Sequence, residues 1–305
     1  MRIAIVGSGA MGSLYGGMLA EHGHDVTLID IWEEHVQAIN ESGLQITDSD
    51  SERTIDVTAT TDQATVSPPD VAVLFVKSTH TKTALEDAKS VLTEDVDVLS
   101  LQNGLGNPET IAEYVPDQNV IAGVTTHGAT LEGPGHVFHA GTGPTTIGRY
   151  FAENGTDVKT LATTLEKAGL PTTLSESIRN DIWEKVLINI GINAPTALAR
   201  VKNGTLTTEP GRRVVESAVK EAVAVAEHEG CEIREDIVDH VLKIAKQTGQ
   251  NKSSMLQDIQ AEQRTEIDRI HAAVVDRATE YNIDVPVNRT LANLIQLTEH
   301  GYGQR

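Results

Sequence analysis

Residues 2–12 read Arg-Ile-Ala-Ile-Val-Gly-Ser-Gly-Ala-Met-Gly, and this stretch decides the fold class. The apolar residues before Gly7 are typical of a short buried strand, and residues 10–22 have the pattern of a helix. Gly7, Gly9 and Gly12 form a G-x-G-x-x-G motif at the turn between them, which allows a pyrophosphate to approach the backbone. The predicted nucleotide-binding residues are Gly7, Ser8, Gly9, Ala10, Met11 and Gly12.

Strand-like and helical patterns alternate through the first half of the chain. Apolar runs at 25–30, 71–76 and 96–101 each end in polar or glycine-rich sequence, and helical stretches lie between them. This alternation is typical of a parallel sheet with helices on both faces. Residues 119–150 are rich in Gly, Thr and Pro, and we predict hairpin-like strands there, at an antiparallel edge of the sheet.

Helical periodicity replaces the strand-like runs from about residue 177 onward. The predicted helices cover residues 178–200, 209–230, 234–248, 253–281 and 288–299. We therefore predict an α/β protein in which a Rossmann-like, doubly wound domain at residues 1–175 precedes an all-α domain at residues 176–305. The second domain is expected to hold the substrate and the catalytic groups.

Asp30 closes the second predicted strand, eighteen residues after Gly12. A carboxylate at this place accepts hydrogen bonds from the ribose hydroxyls of a dinucleotide and repels a 2′-phosphate. The next four residues, Ile-Trp-Glu-Glu, offer no Arg or Lys to pair with that phosphate. We therefore predict that Asp30 contacts the cofactor and that NADH is favoured over NADPH. The alternative interpretation is an ordinary surface aspartate in an acidic protein.

A polar stripe marks the first predicted helix of the second half. Lys185, Asn189 and Asn193 are spaced four residues apart, which places them on one helix face, and the residues between them are mostly apolar. Such a stripe needs buried partners or a polar cavity. A buried ammonium can protonate a ketone oxygen as hydride arrives, because desolvation lowers its pKa. We predict an active-site lysine here, against the alternative of a structural lysine that reaches solvent.

A second polar segment reads Asn-Lys-Ser-Ser-Met-Leu-Gln-Asp at residues 251–258, and Glu266 follows it. Ser253 is predicted to cap the next helix at its N-terminus. Ser254 would then begin that helix, where a hydroxyl and free N–H groups suit a substrate carboxylate. Taken alone, the two serines are explained by capping and Glu266 by a solvated helix face.

Together these segments resemble the ketopantoate reductase family, also called 2-dehydropantoate 2-reductases. The resemblance extends over essentially the whole chain, and the glycine motif in it is generic to Rossmann proteins. The polar stripe from Lys185 to Asn193 and the 251–258 segment with Glu266 are specific to the family. Three further segments match it: Val76-Lys77-Ser78, Gln102-Asn103-Gly104-Leu105-Gly106 and Thr125-Thr126-His127-Gly128-Ala129.

The resemblance implies NAD(P)H-dependent reduction of a small 2-oxo acid, ketopantoate, to pantoate in pantothenate and coenzyme A biosynthesis. It implies Lys185 as the general acid, with Asn103 beside both nicotinamide and substrate and Glu266 orienting the site. Implied substrate ligands are Lys185, Asn189, Asn193, Asn203, Asn251 and Ser254. Implied cofactor contacts are Lys77, Asn103, Ala129 and Glu266. The chain departs from NADPH-using members, which commonly place a basic residue where Asp30 and Ile31 stand.

Three alternatives remain open at this point. A 3-hydroxyacid dehydrogenase also pairs a Rossmann domain with a helical domain that carries Lys and Asn one turn apart, although the 251–258 segment argues against it. A paralogous reductase would act on another small 2-oxo acid. A non-catalytic NAD-binding regulator would not need the whole polar set around Lys185.

The acidic composition limits the partners of this protein. Asp and Glu number 44 against 24 Lys and Arg, which gives a net charge of −20 over the 305 residues. Phosphate would be repelled, so nucleic acid is not an expected partner. No apolar run reaches the roughly 20 residues of a membrane span, so no membrane association is expected. The dispersed acidic residues also suggest a halophilic protein that high salt stabilises.

Cys231 is the single cysteine, so no internal disulfide can form, and a cytoplasmic location is predicted. The thiol is interpreted as structural. No metal site is predicted, and a homodimer is compatible with the sequence.

Overall fold

Two compact units make up residues 1–303, the part of the chain that this computed structural model describes. The first unit comprises Met1–Gln102 and Asn107–Ile178, and the second comprises Asn103–Gly106 and the chain from Arg179 onward. A single boundary near residue 175 was predicted. The assignment of Asn103–Gly106 to the second unit was not anticipated.

Twelve strands and five helices lie in the first unit within the described residues. The strands are β1 (Arg2–Val6), β2 (Asp25–Ile29), β3 (Leu44–Thr47), β4 (Glu52–Ile55), β5 (Thr58–Thr60), β6 (Val71–Leu74), β7 (Asp97–Ser100), β8 (Val120–Thr125), β9 (Gly128–Gly133), β10 (His136–Gly141), β11 (Thr145–Arg149) and β12 (Thr172–Leu174). The helices are α1 (Ala10–Glu21), α2 (Glu33–Ser42), α3 (Thr81–Asp87), α4 (Asn107–Ala112) and α5 (Thr156–Lys167).

The main sheet has eight strands in the order β12-β11-β8-β7-β6-β1-β2-β5. The six strands from β5 to β8 are mutually parallel and follow the 3-2-1-4-5-6 order of a dinucleotide-binding fold. All four residues of β6 and the last four of β1 are buried, as expected where helices cover both faces. The predicted Rossmann-like, doubly wound sheet is therefore confirmed.

A second sheet of four strands, in the order β4-β3-β10-β9, was not predicted. The hairpin of β9 and β10 belongs to this sheet, and only β11 forms the expected antiparallel pairing with the main sheet, through β8. Strands β3 and β4 were not predicted because they are short and only partly buried, unlike the buried apolar runs of the main sheet. The sheet packs on α1 at Gly17, where an added Cβ would lie 2.6 Å from the Cδ1 atom of Ile46.

The second unit is helical, as predicted. Its helices are α6 (Ile178–Ala199), α7 (Glu209–His228), α8 (Ile237–Gln247), α9 (Ser254–Gln260), α10 (His271–Glu280) and α11 (Pro286–His300). The single helix predicted at 253–281 is wrong, because the chain turns between α9 and α10. Glu262 has a positive φ of 52°, and a short 3₁₀ turn at Ile267–Arg269 precedes α10. Both helices bury apolar residues at helical spacing, so the periodicity conceals the break.

Candidate active site

The turn between β1 and α1 has the geometry that a dinucleotide phosphate requires. Gly7 has a φ of 91°, and a Cβ there would lie 2.6 Å from the backbone nitrogen of Val76. A Cβ on Gly12 would lie 2.0 Å from the Gly7 carbonyl oxygen, so any other residue would separate helix from strand. A Cβ on Gly9 would meet nothing within 4 Å, which leaves its backbone open to a ligand.

A pocket of about 280 Å³ opens beside this turn within the first unit. It lies at the carboxyl ends of β1, β2, β5 and β6, where open α/β sheets bind nucleotides. Its lining residues are Val6, Gly7, Gly9, Ile29, Asp30, Ile31, Thr61, Gln63, Phe75, Val76, Lys77, His80, Thr83, Ala84 and Asp87. The residues present therefore fit a dinucleotide cofactor.

The sequence-predicted cofactor residues of this unit do not all line the pocket. Gly7, Gly9, Asp30 and Lys77 do. Ser8 is buried, Ala10 and Met11 are partly buried at the start of α1, and the partly buried Ala129 lies in β9. Prediction from the sequence missed the lining residues from Thr61 to Asp87, apart from Lys77. Thr61 and Gln63 follow β5, which was not predicted, so correct prediction of this strand would have indicated them.

Asp30 stands at the end of β2 with its carboxylate held by two donors. The Trp32 amide donates to Oδ1 at 3.0 Å, and the Ser8 hydroxyl donates to Oδ2 at 3.4 Å. The neighbouring Ile31 is 90% exposed and carries no charge toward a phosphate. A second carboxylate, Asp87, also lines the pocket.

Lys185, Asn189 and Asn193 all lie on α6, where the intervening Val186, Leu187 and Ile190 are buried. Asn193 is 6% exposed, and Lys185 and Asn189 are partly buried. Burial lowers the pKa of the Lys185 ammonium to about 8, although the negative charge of Glu266 opposes the shift. An amine with this pKa can give up a proton far more readily than a solvated lysine.

Glu266 also holds Asn103, whose side-chain amide donates to Oε2 at 3.0 Å. Asn103 begins a four-residue segment, Asn103–Gly106, that packs on the helical unit. The Leu105 amide donates to the Arg269 carbonyl at 2.8 Å, and a Cβ on Gly104 would lie 2.4 Å from that same oxygen. Gly104 has a φ of 87°, so glycine is required there both for conformation and for space. The structure thus brings Lys185, Glu266 and Asn103 into one cluster.

Hydroxyl groups join α6 to the start of α9, next to the predicted substrate ligands Asn193 and Ser254. The Thr196 hydroxyl contacts the Asn193 carbonyl at 3.1 Å and the Ser253 hydroxyl at 2.7 Å. Ser253 accepts a hydrogen bond from the Leu256 amide, which confirms it as the N-cap of α9. Ser254 is the exposed first residue of that helix. No local pattern in the sequence indicates this role of Thr196.

Asn203 and Asn251 meet through the backbone. The Asn203 amide donates to the Asn251 carbonyl at 3.1 Å, while the Asn251 residue itself is exposed. The Asn203 side chain donates to the Thr248 hydroxyl at 3.0 Å. Its Oδ1 atom is buried without a hydrogen-bond partner among residues 1–303.

Three further features concern possible metal binding, membrane-spanning helices and the cysteine. Among residues 1–303, no group of three His, Cys, Asp or Glu side chains is arranged to hold a metal ion. Within the same range, the helices are all too short or too polar to pass through a lipid bilayer. Cys231 is buried, which raises the pKa of its thiol.

Comparisons with known proteins cover both units. The family described as "Ketopantoate reductase PanE/ApbA" matches residues 3–151, and the one described as "Ketopantoate reductase PanE/ApbA C terminal" matches residues 177–299. A 2-dehydropantoate 2-reductase from Halobacterium salinarum is 44% identical over 98% of this chain and 99% of its own. One from Pyrococcus horikoshii is 38% identical over 98% of each chain.

Solved structures show the same architecture. A PanE/ApbA family ketopantoate reductase from Ralstonia eutropha has a TM-score of 0.91 and 35% identity, and covers 98% of this chain and 99% of its own. A D-mandelate dehydrogenase bound to NADH and anilino(oxo)acetate has a TM-score of 0.91 and 32% identity, with 99% of both chains covered.

Proposed function

The chain belongs to the ketopantoate reductase family, and we propose from this premise that it reduces 2-dehydropantoate to pantoate with a nicotinamide cofactor. Full-length relatives at 44% and 38% identity carry that activity in their names. The observation in the structure that carries the proposal is the cluster of Lys185, Glu266 and Asn103, with its lowered lysine pKa. The product places the enzyme in pantothenate and coenzyme A biosynthesis.

Lys185 acts as the general acid in this proposal. The reduced nicotinamide supplies a hydride to C2 of the 2-oxo acid when it is bound. Lys185 donates a proton from Nζ to the carbonyl oxygen as negative charge develops there. Glu266 keeps that ammonium charged by raising its pKa against desolvation, and it orients the Asn103 amide. As the family resemblance implies, Asn103 is proposed to lie beside both nicotinamide and substrate, and Glu266 to lie near the cofactor.

The remaining substrate contacts come from uncharged groups. Asn189, Asn193, Asn203 and Ser254 are proposed to bind the carboxylate and hydroxyl oxygens of the substrate. Asn251 contributes its carbonyl to the Asn203 backbone, so we propose that it shapes the site as well as matching the family motif. Because these groups are neutral, they add no negative charge that would raise the pKa of the Lys185 ammonium further.

NADH is proposed as the preferred cofactor. The support is the position of Asp30 in the pocket, the exposed apolar side chain of Ile31 beside it and the second carboxylate of Asp87. The D-mandelate dehydrogenase of the same fold binds NADH, which agrees with this choice. Lys77 and Ala129 are proposed as further cofactor contacts.

A second candidate is reduction of a different 2-oxo acid by the same residues. The reason to keep it is the similarity of this chain to D-mandelate dehydrogenase, at 32% identity and nearly complete coverage. Both candidates use Lys185 and the same cofactor pocket, so they differ only in the group attached to the C2 carbonyl carbon of the acid.

The deciding experiment follows loss of NADH absorbance with a panel of acids. Ketopantoate, benzoylformate and 2-oxoisovalerate are compared by kcat/KM, and 3-hydroxyisobutyrate with NAD⁺ tests the 3-hydroxyacid dehydrogenase alternative. We expect ketopantoate to have the highest kcat/KM. A higher value for benzoylformate would favour the second candidate, and binding of NADH with no turnover of any acid would favour a non-catalytic regulator.

Cellular context is proposed from the sequence alone. The single cysteine supports a cytoplasmic enzyme, and the net charge of −20 supports a halophilic one without a nucleic-acid partner. A homodimer is compatible with these properties, and size-exclusion chromatography with light scattering tests it.

A further inference from the structure

A fully buried histidine, His35, connects the nucleotide-binding turn to the second sheet. It lies in the first turn of α2 and is 0% exposed. The Gly135 amide, in the turn between β9 and β10, donates to Nδ1 at 2.9 Å. The other ring nitrogen, Nε2, lies 3.1 Å from the hydroxyl of Ser13 in α1. Neither contact was indicated by the sequence, where His35 follows two glutamates in a polar stretch.

The hydrogen-bond partners define which ring nitrogen carries the proton. An amide N–H can only donate, so Nδ1 must offer its lone pair to Gly135. The Ser13 hydroxyl donates to the Ser8 carbonyl at 2.7 Å, so it can only accept from His35. The proton therefore lies on Nε2. One continuous series of hydrogen bonds then runs from Gly135 through His35 and Ser13 to Ser8. Burial agrees with this neutral form, because it lowers the imidazole pKa.

This series of hydrogen bonds ends on the residues proposed to hold the cofactor. Ser8 lies between Gly7 and Gly9, and its hydroxyl donates to the Asp30 carboxylate. The Trp32 ring stacks on the His35 ring, with centroids 5.4 Å apart and planes at 9°, while the Trp32 amide donates to the same carboxylate. The phosphate-binding turn and the ribose-binding carboxylate thus share His35 as their support.

We propose that His35 is a positioning residue for the dinucleotide, acting through Ser13 and Ser8 without lining the pocket itself. This rests on the proposed function in one respect, that the ligand of the pocket is a nicotinamide dinucleotide. The bond from Nε2 to Ser13 sets the position of the Ser8 carbonyl. The bond from Gly135 to Nδ1 fixes the ring against the second sheet.

Two substitutions of His35 by residues with a side-chain amide test its hydrogen bonds to Ser13 and Gly135 separately. In His35→Gln, the side-chain NH₂ can replace Nε2–H and keep the bond to Ser13. In His35→Asn, the carbonyl oxygen can replace Nδ1 as the acceptor for Gly135, but Ser13 loses its donor. We expect the NADH dissociation constant to rise about tenfold in His35→Asn, the equivalent of about 1.4 kcal/mol, and to change less than about threefold in His35→Gln. The kcat and the KM for the 2-oxo acid should not change in either variant at saturating NADH.

Ile39→Ala is the matched control, since Ile39 is 1% exposed on the same helix and has no bond to Ser13. It should lower the melting temperature without changing the NADH dissociation constant. Ser13→Ala removes the same hydrogen bond by changing the other partner, and it replaces His35→Asn as the test if that variant does not fold. It should raise the NADH dissociation constant as His35→Asn does. The double variant should bind NADH no more weakly than either single variant, because both substitutions remove the same interaction.

Equal weakening of NADH binding by His35→Asn and Ile39→Ala would overturn the proposal. A rise in the KM for the 2-oxo acid that parallels the loss of NADH binding would overturn it as well. Additive effects in the Ser13→Ala, His35→Asn double variant would also overturn it. NADH binding is measured by direct titration, without turnover. If no 2-oxo acid is reduced while the binding pattern holds, the proposed function fails and the role of His35 stands.

Discussion

Lys185 illustrates how burial adapts a single ionisable group to proton donation. Desolvation by burial brings its pKa to about 8, so the group is still largely protonated at neutral pH. We expect Lys185→Ala to reduce turnover by about 10²–10⁴, the usual range for general acid catalysis. The NADH dissociation constant should be unchanged. Lys185→Arg keeps the charge but holds its proton too tightly, so it should not restore turnover; recovery in that variant would argue for a purely electrostatic role.

The pH dependence follows from the same pKa. The protonated form of Lys185 is required, so the rate of reduction should fall as pH rises above about 8, by up to one decade per pH unit. Removal of the negative charge in Glu266→Gln lowers the lysine pKa further, since Glu266 raises it. The falling limb should therefore move to lower pH, while the glutamine oxygen can still accept from Asn103. Profiles of kcat/KM for both proteins test this, and an unmoved limb would separate Glu266 from the ionisation.

Cofactor choice is expected to depend on Asp30. We predict that kcat/KM for NADH exceeds that for NADPH by roughly tenfold or more, about 1.4 kcal/mol. Asp30→Ala should reduce this ratio, and Asp30→Ala combined with Ile31→Arg should reverse it, because arginine pairs well with a phosphate. Glu33→Gln removes a nearby exposed charge and should leave the ratio unchanged. A wild-type preference for NADPH in both low and high salt would show that Asp30 does not face the ribose.

Single residues differ in how well the sequence reveals them. The glycines, Asp30 and Lys185 could be proposed from the sequence because their chemistry depends on local spacing within one turn or one helix. His35 and Thr196 were missed because their partners, Gly135 and Ser253, are distant in the chain. A histidine or threonine in a polar stretch has no local pattern that marks it as buried.

At the level of elements, α6 depends on a close helix crossing. Gly191 lies between Asn189 and Asn193, and a Cβ there would lie 2.5 Å from the Cγ1 atom of Val241 in α8. We expect Gly191→Ala to lower the free energy of unfolding by about 1–3 kcal/mol through overpacking. Urea denaturation measures it. Val241→Ala in the same chain should recover part of the loss.

Gly141→Ala is the control for that crossing, because a Cβ on Gly141 meets nothing within 4 Å. It should change the free energy of unfolding by less than about 0.5 kcal/mol. A similar loss in both variants would show that glycine flexibility, and not the contact with Val241, decides the effect.

Elements with a strong apolar pattern were predicted well, and elements without one were not. The parallel strands β1, β2, β6 and β7 are buried runs between helices, so local sequence identifies them. Strands β3 and β4 are only partly buried, and β10, the strand that pairs with β3, is far away in the chain. Helical periodicity likewise continued through residues 261–270, where the backbone turns, because apolar spacing carries no information on positive φ at Glu262.

For the whole molecule, the net charge of −20 dominates the expected response to salt. Repulsion among dispersed carboxylates opposes the compact state, and the Debye length falls from about 10 Å at 0.1 M to about 3 Å at 1 M salt. We expect the melting temperature to rise steadily from low to molar KCl. A non-ionic osmolyte at equal osmolality is the control, and a flat or falling melting temperature in KCl would remove the halophilic interpretation.

The segment Asn103–Gly106 has a consequence for the exchange of parts between relatives. A chimaera made by one crossover at residue 178 would receive a new helical unit and keep the host's residues 103–106. The host's loop would then have to fit the donor's counterpart of Arg269, and in this protein the Arg269 carbonyl leaves no space for a side chain at Gly104. We therefore expect a stable chimaera of this chain to take both stretches from one parent, or to combine a loop that keeps its glycines with a helical unit that keeps the surface on which they pack.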